Sequence, residues 1–206
     1  MIYEFGKHRV KHGSITLGID DLMGSDKAHI IYSDPPWGQG NISFWQTLNK
    51  KDNGAEKQTI LYDDFLEMIF SAYGKFSENI LFVEYGVRWR ADIQERAQRH
   101  GFTPIEIIGL EYKGGATMLT LDLHVFAKQA FALPAGYVDR VSGTSGYKTL
   151  QADVPPFAAP GKILLDPMCG MGYSAQIAID TGMSFRGNEL NLKRLNKTMA
   201  RLGKDQ

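Results

Sequence analysis

A single cysteine, Cys169, stands among the 206 residues, so no internal disulfide can form and no cysteine-cluster metal site can be built. Such scarcity fits a reducing compartment. No apolar run approaches the roughly 18 to 20 residues that cross a bilayer, and Met1-Ile2-Tyr3-Glu4-Phe5 has neither the charged nor the apolar region of a signal peptide. A cytoplasmic protein with no membrane partner and no metal is expected. An excess of charge of one sign is also missing, since 23 basic and 23 acidic residues cancel. Any grip on a polyanion must come from local patches. With 43% hydrophobic and 22% charged residues the composition is that of an ordinary globular chain, and the length predicts one domain over residues 1–206.

What is present is organised around Ile30-Ile31-Tyr32-Ser33-Asp34-Pro35-Pro36-Trp37, an apolar run ending in a carboxylate, a rigid double proline and an aromatic. It reads as a buried strand delivering a small reactive loop. The prolines hold the backbone extended and remove two N–H donors, which leaves the Ser33 to Pro36 carbonyls and the Asp34 carboxylate as acceptors for a primary amine. The Trp37 indole offers a flat surface for a planar ring. Asp-Pro is also a common turn opener, so a plain turn competes with this reading.

A second stretch is more specific. Lys162-Ile163-Leu164-Leu165-Asp166-Pro167-Met168-Cys169-Gly170-Met171-Gly172 runs from a strand into a glycine turn, followed by a helix from Ala175 to Thr181, a strand from Met183 and Glu189. Glycines let a backbone approach a ligand closely. An acidic residue about 20 positions beyond such a turn grips the hydroxyls of a ribose; Glu189 lies nineteen positions beyond Gly170. The third glycine of the dinucleotide pattern is absent, because position 175 is Ala.

Between the two, Gly38 to Gly54, with its glycines, amides and aromatics, reads as a mobile substrate-gripping loop or a plain surface loop. Lys50 and Lys51 are candidate phosphate contacts or, by preference, ordinary surface lysines. Tyr62 to Ser77 has helical spacing of Phe65, Leu66, Ile69, Phe70 and Tyr73. Strands are predicted from about Arg9, His29, Asn79, Ile105, Met118, Lys162 and Ser184, and a charged helix over Arg88 to His100. Tyr85, Arg88, Trp89 and Arg90 follow a strand end, where α/β proteins place ligands; they are expected either to line a substrate cleft or to pack on a helix surface. Phe131 to Pro160 carries no strong period and reads as a long irregular connection.

Together the Asp34-Pro35-Pro36-Trp37 tetrapeptide and the Asp166-to-Gly172 turn resemble the S-adenosylmethionine-dependent amino-methyltransferases, which methylate the exocyclic nitrogen of adenine or cytosine in DNA. The order, catalytic motif first and cofactor motif second, is similar to the permuted β class. The resemblance implies a doubly wound α/β fold with a mostly parallel, seven-stranded sheet. It also implies Asp34, Pro35, Pro36 and Trp37 as catalytic residues and Ser14, Asp34, Asp166, Pro167, Met168, Cys169, Gly170, Gly172, Glu189 and Asn191 at the cofactor. Ser14 departs from the family's Gly-Asp, and a helix cap is its other reading. Lys148-Thr149 is the nearest match to a further cofactor-side motif, and residues 131–160 would contain the target-recognition segment. Asp at position 34 is more similar to the adenine-N6 subset. Cytosine N4 in DNA, adenine N6 in RNA and a catalytically idle binding subunit are the alternatives, and a homodimer would let a small chain share target reading.

Overall fold

The computed structural model describes residues 1–53, 60–114 and 117–204. Gly54, where the loop read from sequence ends, lies outside the described residues. In chain order the elements are β1 Ile2–Phe5, β2 His8–His12, α1 Asp20–Met23, β3 Ala28–Ser33, α2 Gly38–Asn53, α3 Tyr62–Phe76, β4 Ser77–Gly86 and α4 Arg90–Arg99. There follow β5 Thr103–Gly114, β6 Thr117–Ala127, α5 Tyr137–Val141, α6 Tyr147–Asp153, β7 Ile163–Asp166, α7 Tyr173–Asp180, β8 Ser184–Glu189 and α8 Leu192–Leu202.

The strands form one eight-stranded sheet in the order β1-β2-β8-β7-β3-β4-β6-β5. The strand beyond the expected seven is β1, which folds back on β2 through Gly6 and Lys7 and pairs antiparallel with it. From β2 to β4 the pairing is parallel; β6 runs against both β4 and β5. Alternation along the strands divides the core. Ile30 and Tyr32 of β3 join Phe82, Leu164 and Phe185 under α5 to α8, while Ile31 joins Leu81, Val83 and Leu165 under α1, α3 and α4. Both faces are covered, which is why the central strands read as continuous apolar runs.

The connections place the site. From β7 the chain passes through α7 to β8 on one side, and from β3 through α2 and α3 to β4 on the other. Adjacent strands β7 and β3 therefore flank the point where the winding reverses, and a crevice opens beyond their carboxyl ends. Leu165 of β7 ends in Asp166 and its glycine turn; Ser33 of β3 ends in Asp34 and its prolines.

Two sequence readings are corrected. The stretch after Trp37 is a helix, α2, not a loop: Gln39 at its start accepts from the Tyr62 N–H and donates to the Ile60 carbonyl, and Asp52 near its end accepts from Asn191 and Lys193. Likewise the segment from Phe131 to Pro160 contains α5, α6 and a single 3-10 turn at Pro155–Phe157, with Tyr137, Val141, Leu150 and Val154 buried. The prolines follow α6 instead of interrupting it. Among the described residues no helix is long and apolar enough to cross a membrane.

Candidate active site

A cavity of about 830 Å³ opens at the reversal point, walled by the ends of β3, β4, β7 and β8, by α2 and by the start of α6. Ten of the residues singled out from sequence line it: Ser14, Asp34, Pro35, Pro36, Trp37, Asp166, Met168, Cys169, Gly170 and Glu189. Pro167, Gly172 and Asn191 do not. The Pro167 carbonyl accepts from Asn188 Nδ2 at 3.1 Å. Gly172 backs onto α8, where a Cβ would lie 2.6 Å from Thr198 Oγ1 and 2.8 Å from its Cα, and its φ of +77° also favours glycine. Asn191 caps α8 and donates to Asn49 and Asp52, so it ties α8 to α2.

The reactive loop is held from behind. Tyr85 OH donates to the Pro36 carbonyl at 2.9 Å and accepts from the Gly38 N–H at 3.2 Å. Gly38, at φ +65°, lies against Trp89, whose ring a Cβ would meet at 2.5 Å. Tyr85 and Trp89 thus buttress the loop and do not line the cavity. One of the expected free carbonyls, that of Pro36, is taken, whereas no described donor reaches the Pro35 carbonyl. Trp37 Nε1 donates to Asp34 Oδ1 at 3.3 Å, and the indole stands edge-on to Tyr112 with centroids 6.3 Å apart.

At the glycine turn Glu189 Oε2 accepts from the Gly170 N–H at 2.8 Å and Oε1 from the Asn191 N–H at 2.6 Å. Gly170 has φ +52°, and a Cβ there would point into open space. Ser14 caps the 3-10 turn Ile15–Leu17, accepting from the Thr16 N–H at 3.2 Å, and it borders the cavity. Lys148 is exposed and Thr149 buried, and α6 reaches the cavity through Gly146 and Leu150 instead.

Four carboxyls face this space. Asp34 is open to the cavity yet ringed by protein, and the loss of bulk solvation pushes its pKa up to about 6 against the pull of the Trp37 N–H and Arg194. Burial raises Asp166 to about 7, opposed by Ser174 Oγ at 2.6 Å and the Met168 N–H, and assisted by the charges of Asp34 and Glu189. Burial also raises Glu189. Sequence reading missed Glu84, 5% exposed on β4, which accepts from Tyr32 OH and is pushed up to about 8 by burial and by Asp166. Its signal was present: a glutamate at the end of the apolar run Ile80 to Val83. Arg194, the one described cation on the wall, comes from α8 and left no such signal; its guanidinium sits 4.0 Å over the Trp45 ring. Burial holds the Cys169 thiol well above its ordinary value, which makes it a lining group and not a nucleophile.

The remaining expected contacts divide. Arg90 is locked by two 2.8 Å bonds to buried Asp122, and Arg88 stacks 4.6 Å over Trp89, while Lys50 and Lys51 are exposed in the last turn of α2.

No protein-family model matches the sequence, and no curated protein matches it. Solved structures do match in shape. M1.HpyAVI superposes with a TM-score of 0.67 at 17% identity, covering 94% of this chain and 97% of that one. TTHA0409 of Thermus thermophilus, solved with S-adenosyl-L-methionine, gives 0.65 at 17% identity over 96% and 94% of the two chains. The cytosine-N4-specific PvuII DNA methyltransferase gives 0.60 at 12% identity over 96% and 90%. At these identities the likeness is one of architecture, and the chain has the fold that these proteins share, the PvuII DNA methyltransferase among them.

Proposed function

We propose that the protein transfers the methyl group of S-adenosylmethionine to the exocyclic amine of a nucleobase in DNA, with adenine N6 as the acceptor. The observation that carries this reading is the meeting of the Asp34-to-Trp37 loop and the Cys169-to-Gly172 turn on one cavity at the reversal point of the sheet. The residues present suit the cofactor. The volume is that of a nucleotide-sized site, Gly170 leaves room beside the turn, and buried Asn188 Oδ1 on the wall has no partner among the described residues. Carboxyls outnumber the one arginine on the wall, and a cationic guest would favour the ionised form of those that burial keeps protonated. When bound, the cofactor supplies an electrophilic methyl on a sulfonium. Glu189 would receive the ribose hydroxyls beside the Gly170 N–H, and Ser14, Ile15 and Leu190 border the same end of the cavity.

At the other end, the Asp34 carboxylate and the Pro35 carbonyl can each accept one N–H of the acceptor amine. Two acceptors draw that nitrogen toward tetrahedral geometry and localise a lone pair otherwise spread into the ring. Asp34, with a pKa of about 6, can also take the proton the amine sheds. Trp37, fixed by Asp34 and Tyr112, stacks the base. In this reading the catalytic loop precedes the cofactor turn in a permuted order, and target reading falls to residues 131–160. Cytosine N4 is the second reading, favoured by the likeness to a cytosine-N4-specific enzyme, since Asp34 and Pro35 would grip either amine. Labelled methyl transfer to DNA and to RNA, with nucleoside analysis, tests both: N6-methyladenine in DNA is expected. N4-methylcytosine would move the acceptor, and cofactor binding without transfer would leave an idle fold.

A further inference from the structure

The β5–β6 hairpin is longer than the sheet that carries it. Pairing between β4 and β6 stops at Gly86 and Leu121, but β5 and β6 continue through Glu111–Thr120, Tyr112–Leu119, Lys113–Met118 and Gly114–Thr117. Since β6 runs against β4, these extra pairs project from the carboxyl edge, beside the cavity. The inner face of the hairpin is a ladder of apolar rungs. Ile108–Leu123 and Leu110–Leu121 are buried in the core, and the next rung in register, Tyr112–Leu119, stands 45% and 41% exposed. Core-type side chains extending into solvent on a two-stranded arm are a liability unless something covers them. Both also line the cavity, and Tyr112 touches Trp37.

We infer, building on the function proposed above, that the Tyr112–Leu119 rung is a stacking surface for a nucleotide flanking the acceptor base, and that the acceptor enters the cavity from an unpaired strand. A second copy of the chain is a poorer occupant: two half-exposed side chains offer on the order of 200 Å², far below the roughly 800 Å² per partner of a stable interface. Charge points the same way. Around the cleft Arg90 is matched by Asp122, Lys193 by Asp52 at 3.1 Å, and Arg194 faces inward toward Asp34 and Glu189. Lys50, Lys51, Arg88, Lys148 and Lys197 remain exposed without an ion pair among the described residues, Lys197 reaching only the sulfur of Met171 on the cavity wall. Five like charges around the cleft favour a polyanion over a second copy of the chain, which would bring the same five. A nucleotide can stack on an outer platform only where its face is free of its own neighbours, and an aromatic side chain beside a basic track for the backbone is how proteins bind single strands.

The test uses the full chain and a random-sequence DNA pool, either single-stranded or made duplex by primer extension, with binding read by fluorescence anisotropy and transfer by labelled methyl. Wild type is expected to prefer the single strand at least ten-fold in both readouts, with log affinity falling against log salt at a slope of about −3 to −4. Leu119→Ser should weaken single-strand binding about five-fold or more, whereas Met118→Ser, on the outer face of the same arm, should not; calorimetric cofactor affinity monitors folding in both. A duplex preference, equal effects of the two substitutions, or a dimer in sedimentation that Leu119→Ser dissociates would each overturn the inference. Failure of methyl transfer on every pool would instead overturn the function on which it rests.

Discussion

Replacing Glu84 by Gln should remove a fall of stability with rising pH. The folded chain keeps Glu84 protonated to about pH 8, whereas the carboxyl loses its proton near its ordinary 4.5 once unfolded. Between those values the native state binds one more proton than the unfolded state, so stability falls as pH rises, by about 1.4 kcal/mol per pH unit for one group. Gln is nearly isosteric and can still accept from Tyr32 OH, but it does not titrate. From pH 5.5 to 7.5 the variant should gain about 2 to 3 kcal/mol on wild type, less whatever water in the open cavity screens away. Urea titrations at three pH values measure this through the midpoint at constant slope. A difference between the two proteins that stays level with pH would refute a buried neutral Glu84.

Other outcomes rest on the same geometry. Asp34→Asn should keep the bond to Trp37 and cofactor affinity within a few-fold, yet lose methyl transfer by at least about 100-fold, because the amide lacks the charge that grips the amine. In wild type the transfer rate should rise with pH through about 6 as Asp34 ionises, and single-turnover rates from pH 5 to 8 would show it. Tyr85→Phe strips both the Pro36 carbonyl and the Gly38 N–H of their partner, and should slow transfer about ten-fold while calorimetric cofactor affinity holds. Gly172→Ala forces a Cβ onto Thr198 and should cost about 2 to 4 kcal/mol in a denaturation assay, with Gly170→Ala costing less in stability and more in cofactor affinity.

How much was legible in the sequence depended on where each constraint resides. The two loops could be read because local chemistry specifies them: apolar runs fix β3 and β7, and prolines or glycines fix the turns beyond their ends. Glu189 could be read because its distance from Gly170 is set by one helix and one strand. By contrast α2 carries few apolar residues, with Ile42 its clearest buried one, and its partners Asn191, Lys193 and Arg194 lie about 140 positions away. No window of sequence contains that information. The helices α5 and α6 are five and seven residues long, too short for a period to emerge, and β1 has four. The Pro36 carbonyl looked free because Tyr85, which occupies it, comes from the far end of β4.

The strand order has a consequence for how the chain comes into being. In the finished sheet β7 and β8 lie between β2 and β3, although they are made more than 130 residues later. Until they emerge from the ribosome, Ile30 and Ile31 have no neighbour on one side, and the half-sheet of β3, β4, β6 and β5 exposes a hydrophobic edge that other nascent chains can join. Folding is therefore a late, long-range closure, slow by contact order. The interval before it is when this protein most needs a chaperone or a low concentration of its own kind.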